Sequence, residues 1–185
     1  MLIPPFDHLD IISGQGTVAK ELIEEVGRRW INLGQYDRRP SPVAPLPDYR
    51  RGTKASRRRD PIVLSGKLER TEKTNTIADG ARSVSLGALT FPIVLEHVSD
   101  MVTVSDAAIA RSMFYLWERL KIVVEPTGAL AATALLEGIV SQPGSKIGII
   151  ISGGNIDLKQ MPTYWTKAHP KEKAAAKRPW TWEMS

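Results

Sequence analysis

The sequence has no cysteine, and its three histidines, His8, His97 and His169, lie far apart in the chain. The lack of thiols excludes disulfides, thiolate metal sites and a cysteine nucleophile, and the histidine spacing is not that of a metal site. No apolar run reaches about 18 residues, the length that a membrane helix needs. The proline-containing start is not that of a signal peptide. We therefore expect a soluble, cytoplasmic protein that binds no metal and no membrane.

Acidic residues are fewer than basic ones, 20 against 25, which gives a net charge of +5. The basic residues concentrate in residues 31–72, a proline-rich segment that keeps neither a helical nor a strand period for more than a few positions. We expect this segment to be divergent or disordered. A basic arm for nucleic acid is the alternative interpretation. Because no aromatic platform or binding fold accompanies the charge, no nucleic-acid partner is predicted.

Residues 1–30 are predicted to pass through a glycine turn into a helix. The turn is Ser13–Thr17, and the helix is expected to begin at Thr17. Apolar residues then recur every four positions, at Val18, Leu22 and Val26.

Residues 73–158 alternate apolar strands with helices. The three predicted strands are Asp100–Val104, Lys121–Glu125 and Lys146–Ser152. Ser105 is expected to cap a helix, whose buried face consists of Ile109, Met113, Trp117 and Leu120. A second helix, Ala129–Leu136, is expected to end at Gly138. This alternation predicts an α/β fold in which helices flank a parallel sheet.

A glycine-containing motif, Ser152–Asn155, directly follows the last predicted strand. Ligands bind at the carboxyl ends of strands in open α/β sheets, and glycines allow the backbone to approach a ligand closely. A tight turn of purely structural importance is the alternative for this motif taken alone.

Five motifs occur together in a characteristic order: Ser13–Thr17, Thr76–Gly80, Leu89–Pro92, Lys121–Ala129 and Ile149–Asp157. In order and approximate spacing they resemble the threonine/serine dehydratase and serine racemase family of fold type II pyridoxal-phosphate enzymes. The resemblance covers about residues 3–27 and 73–158. It implies half of the tryptophan synthase beta-like large domain, the C-terminal part of the catalytic domain, as a partial parallel sheet with flanking helices.

The same resemblance divides the chain into four parts. Residues 1–30 and 73–158 are the family-like parts of the cofactor domain, residues 31–72 are the divergent Arg- and Pro-rich segment, and residues 159–185 form a divergent tail. Family-like flanks around an unpatterned interior are what a stretch read in a shifted frame would look like. An in-frame replacement is the alternative.

The resemblance also assigns candidate cofactor-binding residues. Ser152 would hydrogen-bond the pyridine nitrogen of pyridoxal 5'-phosphate, and Gly153 follows it in the same loop. Glu125 would lie on the active-site side of the sheet. Gly80 would adjoin the cofactor ring, where a side chain would collide with it. The alternatives are a serine that caps its own turn, an acid in solvent and an ordinary turn glycine.

In serine racemases, residues at the positions of Lys121 and Asn155 touch a nucleotide effector. The sequence gives no independent sign of nucleotide binding, and surface and turn roles are the alternatives. The carboxylates that bind a divalent cation in many relatives have no counterpart that can be assigned here.

The intact family deaminates L-serine or L-threonine to 2-oxo acids. Its Schiff-base lysine motif, Ser-x-Lys-x-Arg-Gly, and its tetraglycine phosphate loop do not occur in this sequence. We therefore expect no catalytic residue, a catalytically incomplete or truncated lyase, and no stable binding of the cofactor. The alternative is a non-catalytic binding or assembly module, or a decayed remnant, that forms a homo-oligomer or pairs with a full-length dehydratase.

Overall fold

A computed structural model of the chain describes residues 6–26, 31–33, 66–68, 70, 75–98, 102–141, 144 and 147–170. Most of the segment 31–72, which the sequence predicts to be disordered, and residues 171–185 of the tail lie outside the described residues. The described helices are α1 Leu9–Val26, α2 Thr90–His97, α3 Asp106–Leu120, α4 Leu130–Leu136 and α5 Met161–Ala168. In this part of the chain, no helix is both long and apolar enough to cross a membrane.

Helix α1 begins at Leu9, so the predicted glycine turn Ser13–Thr17 and the helix start at Thr17 are wrong. A glycine within a helix costs only about 1 kcal/mol relative to alanine, and Gly14 does not have the positive φ of a turn glycine. The hydroxyl of Thr17 donates to the carbonyl of Gly14 at 2.9 Å, a bond within the helix rather than a cap at its start.

Two short strands, β1 Ile31–Leu33 and β2 Ile147–Ile149, pair in parallel. Ile31 lies opposite Ile147, and Leu33 lies opposite Ile149. The prediction of a partial parallel sheet flanked by helices is thus confirmed. Strand β2 falls inside the predicted strand Lys146–Ser152, whereas β1 was not predicted.

Two other predicted strands are wrong over their described residues. Residues 121–125 are not in a strand, and within 102–104 only Val102 forms a single bridge. Apolar β-branched runs favour extended backbone, but a strand also requires a neighbour that pairs along its length. Lys121 has a left-handed φ of 60°, which turns the chain where the second of these strands was expected to begin.

The predicted start of α3 and the predicted end of α4 are confirmed. The Ser105 hydroxyl accepts from the backbone N–H of Ala108 at 3.3 Å and caps α3. Helix α4 ends at Leu136, and Gly138 follows with a φ of +66°. A glycine tolerates this left-handed conformation without steric cost.

The buried core lies between α3, α4 and the loops beside them. Its fully buried members are Ala78, Ile109, Met113, Leu116, Val124, Ala129 and Ala132. Ile109 and Met113 are therefore on the buried face as predicted, and Trp117 packs against the core half-buried. Leu120 is 53% exposed, so its predicted burial is wrong. It is the last residue of α3, where the helix has passed beyond the residues that cover its core face.

Helix α5 packs on α3 through aromatic side chains. Phe114 and Trp165 meet edge to face, with ring centroids 5.1 Å apart. Trp165 also lies against His169, at 4.1 Å between centroids. The first part of the segment that the sequence assigned to a divergent tail is thus a helix packed on α3.

Asp7 joins the start of the chain to α2. Its carboxylate accepts hydrogen bonds of 2.8–3.1 Å from the backbone N–H groups of Ala88, Leu89 and Thr90. These groups include donors at the helix start that have no partner within the helix. A carboxylate there is also favoured by the positive end of the helix dipole. A side chain at Gly87 would collide with the Asp7 carboxylate.

We predict that Trp117→Ala lowers the free energy of unfolding by about 3 kcal/mol, the lower end of the range for large aromatic residues, because the site is half-buried. The substitution removes core packing and the 2.9 Å hydrogen bond from the indole N–H to the carbonyl of Val124. Urea unfolding of the purified chain measures the change. Tyr115→Ala on the same helix is the control, because Tyr115 is 47% exposed and should cost less than about 1 kcal/mol. Equal losses would contradict the packing.

Candidate functional site

Three loops meet beyond the carboxyl end of β2. They are residues 150–155, which follow β2, residues 121–129 between α3 and α4, and residues 75–81, which contain a short 3-10 turn at Asp79–Ala81. The first two are in backbone contact, because a methyl group added at Gly128 would overlap the carbonyl oxygen of Ser152. Gly128 is buried at this contact. Glycine is thus required here for close approach rather than for its φ.

Three of the residues predicted to bind the cofactor, Ser152, Gly153 and Glu125, lie together in this contact. Gly153 has a left-handed φ of 73°, and a side chain there would collide with the carboxylate of Glu125. The backbone N–H of Glu125 donates to the carbonyl of Gly153 at 3.2 Å. Ser152 and Glu125 are both half-buried. The segment after β2 therefore turns across the side chain of Glu125.

Gly80 joins this cluster through Thr127. The backbone N–H of Gly80 donates to the Thr127 hydroxyl at 3.1 Å, and a methyl group on Gly80 would lie 2.9 Å from the Thr127 methyl carbon. The buried Thr127 hydroxyl donates in turn to Asp79 at 3.3 Å. The four residues predicted to bind the cofactor thus lie in one cluster, in which Thr127 joins Gly80 to the loop that contacts Ser152 and Gly153. We call this cluster the glycine site: Gly80, Glu125, Thr127, Gly128, Ser152 and Gly153.

The two predicted effector residues lie beside the glycine site and are exposed. Lys121 directly follows α3 as its C-cap residue, and its ammonium donates to the carbonyl of Glu118 at 2.7 Å. Asn155 follows Gly154, whose backbone approaches the carbonyl of Val123. The effector role of Lys121 and Asn155 stays a prediction.

Three residues of this region escaped the sequence analysis: Asp79, Thr127 and Tyr164. Asp79 and Thr127 lie within motifs that carried the family resemblance, so their positions were available. Tyr164 lies on α5, where no motif marks it. Burial raises the pKa of its phenol, as do the negative charges of Asp79, Asp157 and Glu125, while Arg82 lowers it. The Tyr164 hydroxyl therefore keeps its proton and remains a hydrogen-bond donor at neutral pH.

Asp106, the first residue of α3, anchors the loop that carries Gly80. Its carboxylate accepts from the Thr76 hydroxyl at 2.6 Å, the Ile77 N–H at 3.2 Å and the Lys167 ammonium at 3.2 Å. Burial alone would raise the pKa of Asp106. The hydrogen bonds from Thr76, Ile77 and Lys167 and the charge of Lys167 outweigh burial and bring this pKa below its ordinary value of 3.8.

The chemistry of the glycine site suits the ring end of a flat heteroaromatic cofactor. A serine hydroxyl can donate to a ring nitrogen without introducing charge, and Gly80 and Gly153 place no side chain beside it. Over the residues that the structure describes, no group of three or more histidine or acidic side chains could hold a metal ion.

Comparison with known proteins agrees with this chemistry. The family model "Pyridoxal-phosphate dependent enzyme" matches residues 54–153, more than half of the chain. L-threo-3-hydroxyaspartate ammonia-lyase of Saccharomyces cerevisiae is 40% identical over 172 residues, which cover 88% of this chain and 53% of that protein. The chain spans about half the length of the curated relatives it matches.

Two solved structures are similar in both sequence and fold. The structure of maize serine racemase is 35% identical with a TM-score of 0.67, over 90% of this chain and 57% of that one. The structure of serine racemase from Dictyostelium discoideum is 34% identical with a TM-score of 0.64, over 85% of this chain and 54% of that one. These matches support the fold that the motifs predicted.

We predict that Gly128→Ala destabilises the chain by about 3 kcal/mol or prevents folding, because overpacked backbone has no flexible side chain that can give way. Thermal and urea unfolding measure the loss. Gly14→Ala is the matched control: nothing lies within 4 Å of an added methyl group there, and alanine should stabilise α1 by about 0.5–1 kcal/mol. A tolerated Gly128→Ala would contradict the contact between the loops.

The stability that the Asp106 carboxylate contributes should depend on pH. Because its pKa is lower in the folded chain, the contribution is present above the unfolded pKa of about 3.9 and lost as the pH falls through the folded value. Asp106→Asn has no titrating group at this position. The difference in unfolding free energy between wild type and variant should therefore be largest near pH 7 and shrink below pH 4. A difference that stays constant with pH would count against the proposed charge interactions.

Proposed function

Because this chain belongs to the family of pyridoxal-phosphate-dependent enzymes, we propose that its glycine site holds the cofactor ring in a dehydratase of L-serine or L-threonine. The observation that carries the proposal is the contact of Glu125 and Gly128 with Ser152 and Gly153 beyond β2, to which Thr127 joins Gly80. These residues come from three loops, and the fold places all three at the end of the sheet where α/β proteins bind ligands.

Bound pyridoxal phosphate supplies an electron sink for removal of an α-proton from an amino acid. The protein's part in this site is binding and orientation. The Ser152 hydroxyl would hydrogen-bond the ring nitrogen as a neutral partner. That nitrogen would then stay largely unprotonated, which weakens the ring as an electron acceptor. This setting suits expulsion of a β-hydroxyl group.

Gly80 and Glu125 would define the two flanks of the ring. Gly80 is fixed by Thr127, and its lack of a side chain leaves that flank flat. The Glu125 carboxylate rests on Gly153 and would add negative charge on that flank of a bound ring. Around Tyr164 the negative charges of Asp79, Asp157 and Glu125 outnumber the positive charge of Arg82, so this side of the glycine site is acidic on balance.

An acidic site favours a substrate without a second carboxylate, because an additional negative charge would be repelled. This supports the neutral side chains of serine and threonine over that of hydroxyaspartate, which the similar yeast ammonia-lyase is named for. The substrate assignment is our proposal, and the chain spans about half the length of the curated relatives it matches.

We further propose that these 185 residues do not turn over substrate unaided. The sequence contains no Ser-x-Lys-x-Arg-Gly motif, in which the family resemblance places the covalent cofactor lysine. One hydroxyl hydrogen bond contributes only about 0.5–1.5 kcal/mol net, so Ser152 cannot replace a covalent bond and a phosphate cradle together.

One observation favours the alternative of an assembly module. Three neighbouring apolar residues beside the glycine site, Leu120, Ile122 and Val123, are 53%, 43% and 57% exposed. Such a patch is typical of a surface that another protein covers. Stable co-elution with a complete dehydratase subunit would favour this alternative, whereas separate elution would count against it.

The cofactor proposal is tested by titrating the purified chain with pyridoxal phosphate, followed by an absorbance scan, borohydride reduction, peptide mapping and a keto-acid assay. We expect weak, reversible binding, no stoichiometric modification of a single lysine and no turnover of serine or threonine. Ser152→Ala should weaken binding about 2- to 10-fold. Ser141→Ala, at an exposed serine outside the glycine site, should leave it unchanged.

Two results would contradict these expectations. Equal affinities for wild type and Ser152→Ala would remove Ser152 from the cofactor site. Stoichiometric labelling of one lysine together with keto-acid release would show that the chain is catalytically complete.

A further inference from the structure

The loop at residues 75–81 is held at both ends. At its far end, the Gly80 N–H donates to Thr127, which belongs to the glycine site. At its near end, the Thr76 hydroxyl and the Ile77 N–H both donate to Asp106. Ala78, between the two anchors, is buried in the core. The position of Gly80 therefore depends on the orientation of the Asp106 carboxylate.

Lys167 is the cation that faces this carboxylate. Its ammonium lies 3.2 Å from Asp106, and the side chains of Lys167 and Asp106 are 40% and 26% exposed. The aromatic contact between Phe114 and Trp165 fixes the helix that carries Lys167 against α3. Helix α5 thus brings the positive charge of Lys167 to the Asp106 carboxylate, which already accepts hydrogen bonds from Thr76 and Ile77.

Further hydrogen bonds make the near end of the loop stiff. The Thr76 hydroxyl, while it donates to Asp106, accepts from the Ala78 N–H at 3.2 Å. The Thr76 carbonyl accepts from the Arg82 guanidinium at 2.9 Å. Thr76 is thus bonded at once to Asp106, Ala78 and Arg82.

We propose that Lys167 is a positioning residue for the glycine site. It orients the Asp106 carboxylate, which fixes Thr76 and Ile77, and the loop then keeps Gly80 against Thr127. The contacts that lead from α5 to Gly80 exist in the fold whether or not a cofactor binds. Their importance for cofactor binding rests on the proposed function. Neutralising Lys167 should loosen residues 76–80 and weaken pyridoxal phosphate binding while the core remains intact.

The test compares Lys167→Met with the conservative Lys167→Arg and with a matched control, Lys159→Met. Lys159 is exposed, and its contact with Asp157 is made by the backbone N–H. The measurement is amide hydrogen exchange followed by NMR. The reporting amides are those of Ile77, Ala78 and Gly80, and the reference amides in and after α4 are those of Thr133 and Glu137.

In Lys167→Met, the reporting amides should exchange about 2- to 10-fold faster, the range expected from losing one partly exposed charge-assisted contact. The reference amides should not change. Lys167→Arg should restore slow exchange, and Lys159→Met should behave as wild type. Acceleration of all amides alike would reveal a merely structural role and overturn the proposal, as would unchanged exchange in the loop.

Thr76→Val provides a second route to the same measurement if Lys167→Met does not fold. It removes the hydroxyl that binds Asp106 and leaves the contact between α3 and α5 in place. Because the Thr76 hydroxyl also accepts from the Ala78 N–H, Ala78 does not report on the path in this variant, and faster exchange at Gly80 would support the path from Asp106 to Gly80. Unchanged exchange there would overturn it.

Titration with pyridoxal phosphate separates this inference from the proposed function. If wild type does not bind the cofactor, the proposed function fails, and hydrogen exchange still decides whether Lys167 positions the loop. If wild type binds and Lys167→Met binds equally well, the positioning role fails while the cofactor site stands. We expect Lys167→Met to weaken binding about 2- to 10-fold.

Discussion

The structure depends above all on the backbone contact between Gly128 and the Ser152–Gly153 segment. The absence of a side chain at Gly128 lets the loop that precedes α4 lie against the loop that follows β2. This contact sets the positions of Glu125 and Thr127 on one side and of Ser152 on the other. The core beneath it, which includes Val124 and Ala129, packs around the same crossing. The glycine site and the hydrophobic core therefore depend on the same contact between the two loops.

Around this contact, hydrogen bonds to side chains hold the loops together, rather than the backbone pairing of strands. The loop at 75–81 reaches Thr127 through a single N–H and reaches α3 through the shared Asp106 carboxylate. Buried and half-buried polar groups of this kind are favourable only when their partners are in place. The geometry of Gly80 is consequently determined by several weak bonds from different elements, and α5 takes part in it although it lies outside the motifs.

Local signals allowed some elements to be predicted, and tertiary contacts decided the others. Ser105 marked the start of α3 and Gly138 marked the end of α4, because an N-cap and a left-handed glycine act within a few residues. The start of α1 was missed because glycine is only weakly unfavourable in a helix. The strand expected at residues 121–125 failed because β-branched residues do not supply a neighbouring strand. Motifs singled out Gly80, Glu125, Ser152 and Gly153 as candidates, whereas Tyr164 and Lys167 enter through the packing of α5, which no local pattern encodes.

The bonds from Asp7 to the start of α2 join residues 81 to 83 positions apart in the sequence. Closing so large a loop costs more entropy than forming a helical turn, and the cost grows with the logarithm of the loop length. Most bonds of α2 are local, but its first turn has high contact order. The native contacts of that turn are therefore completed only after the two regions of the chain have met.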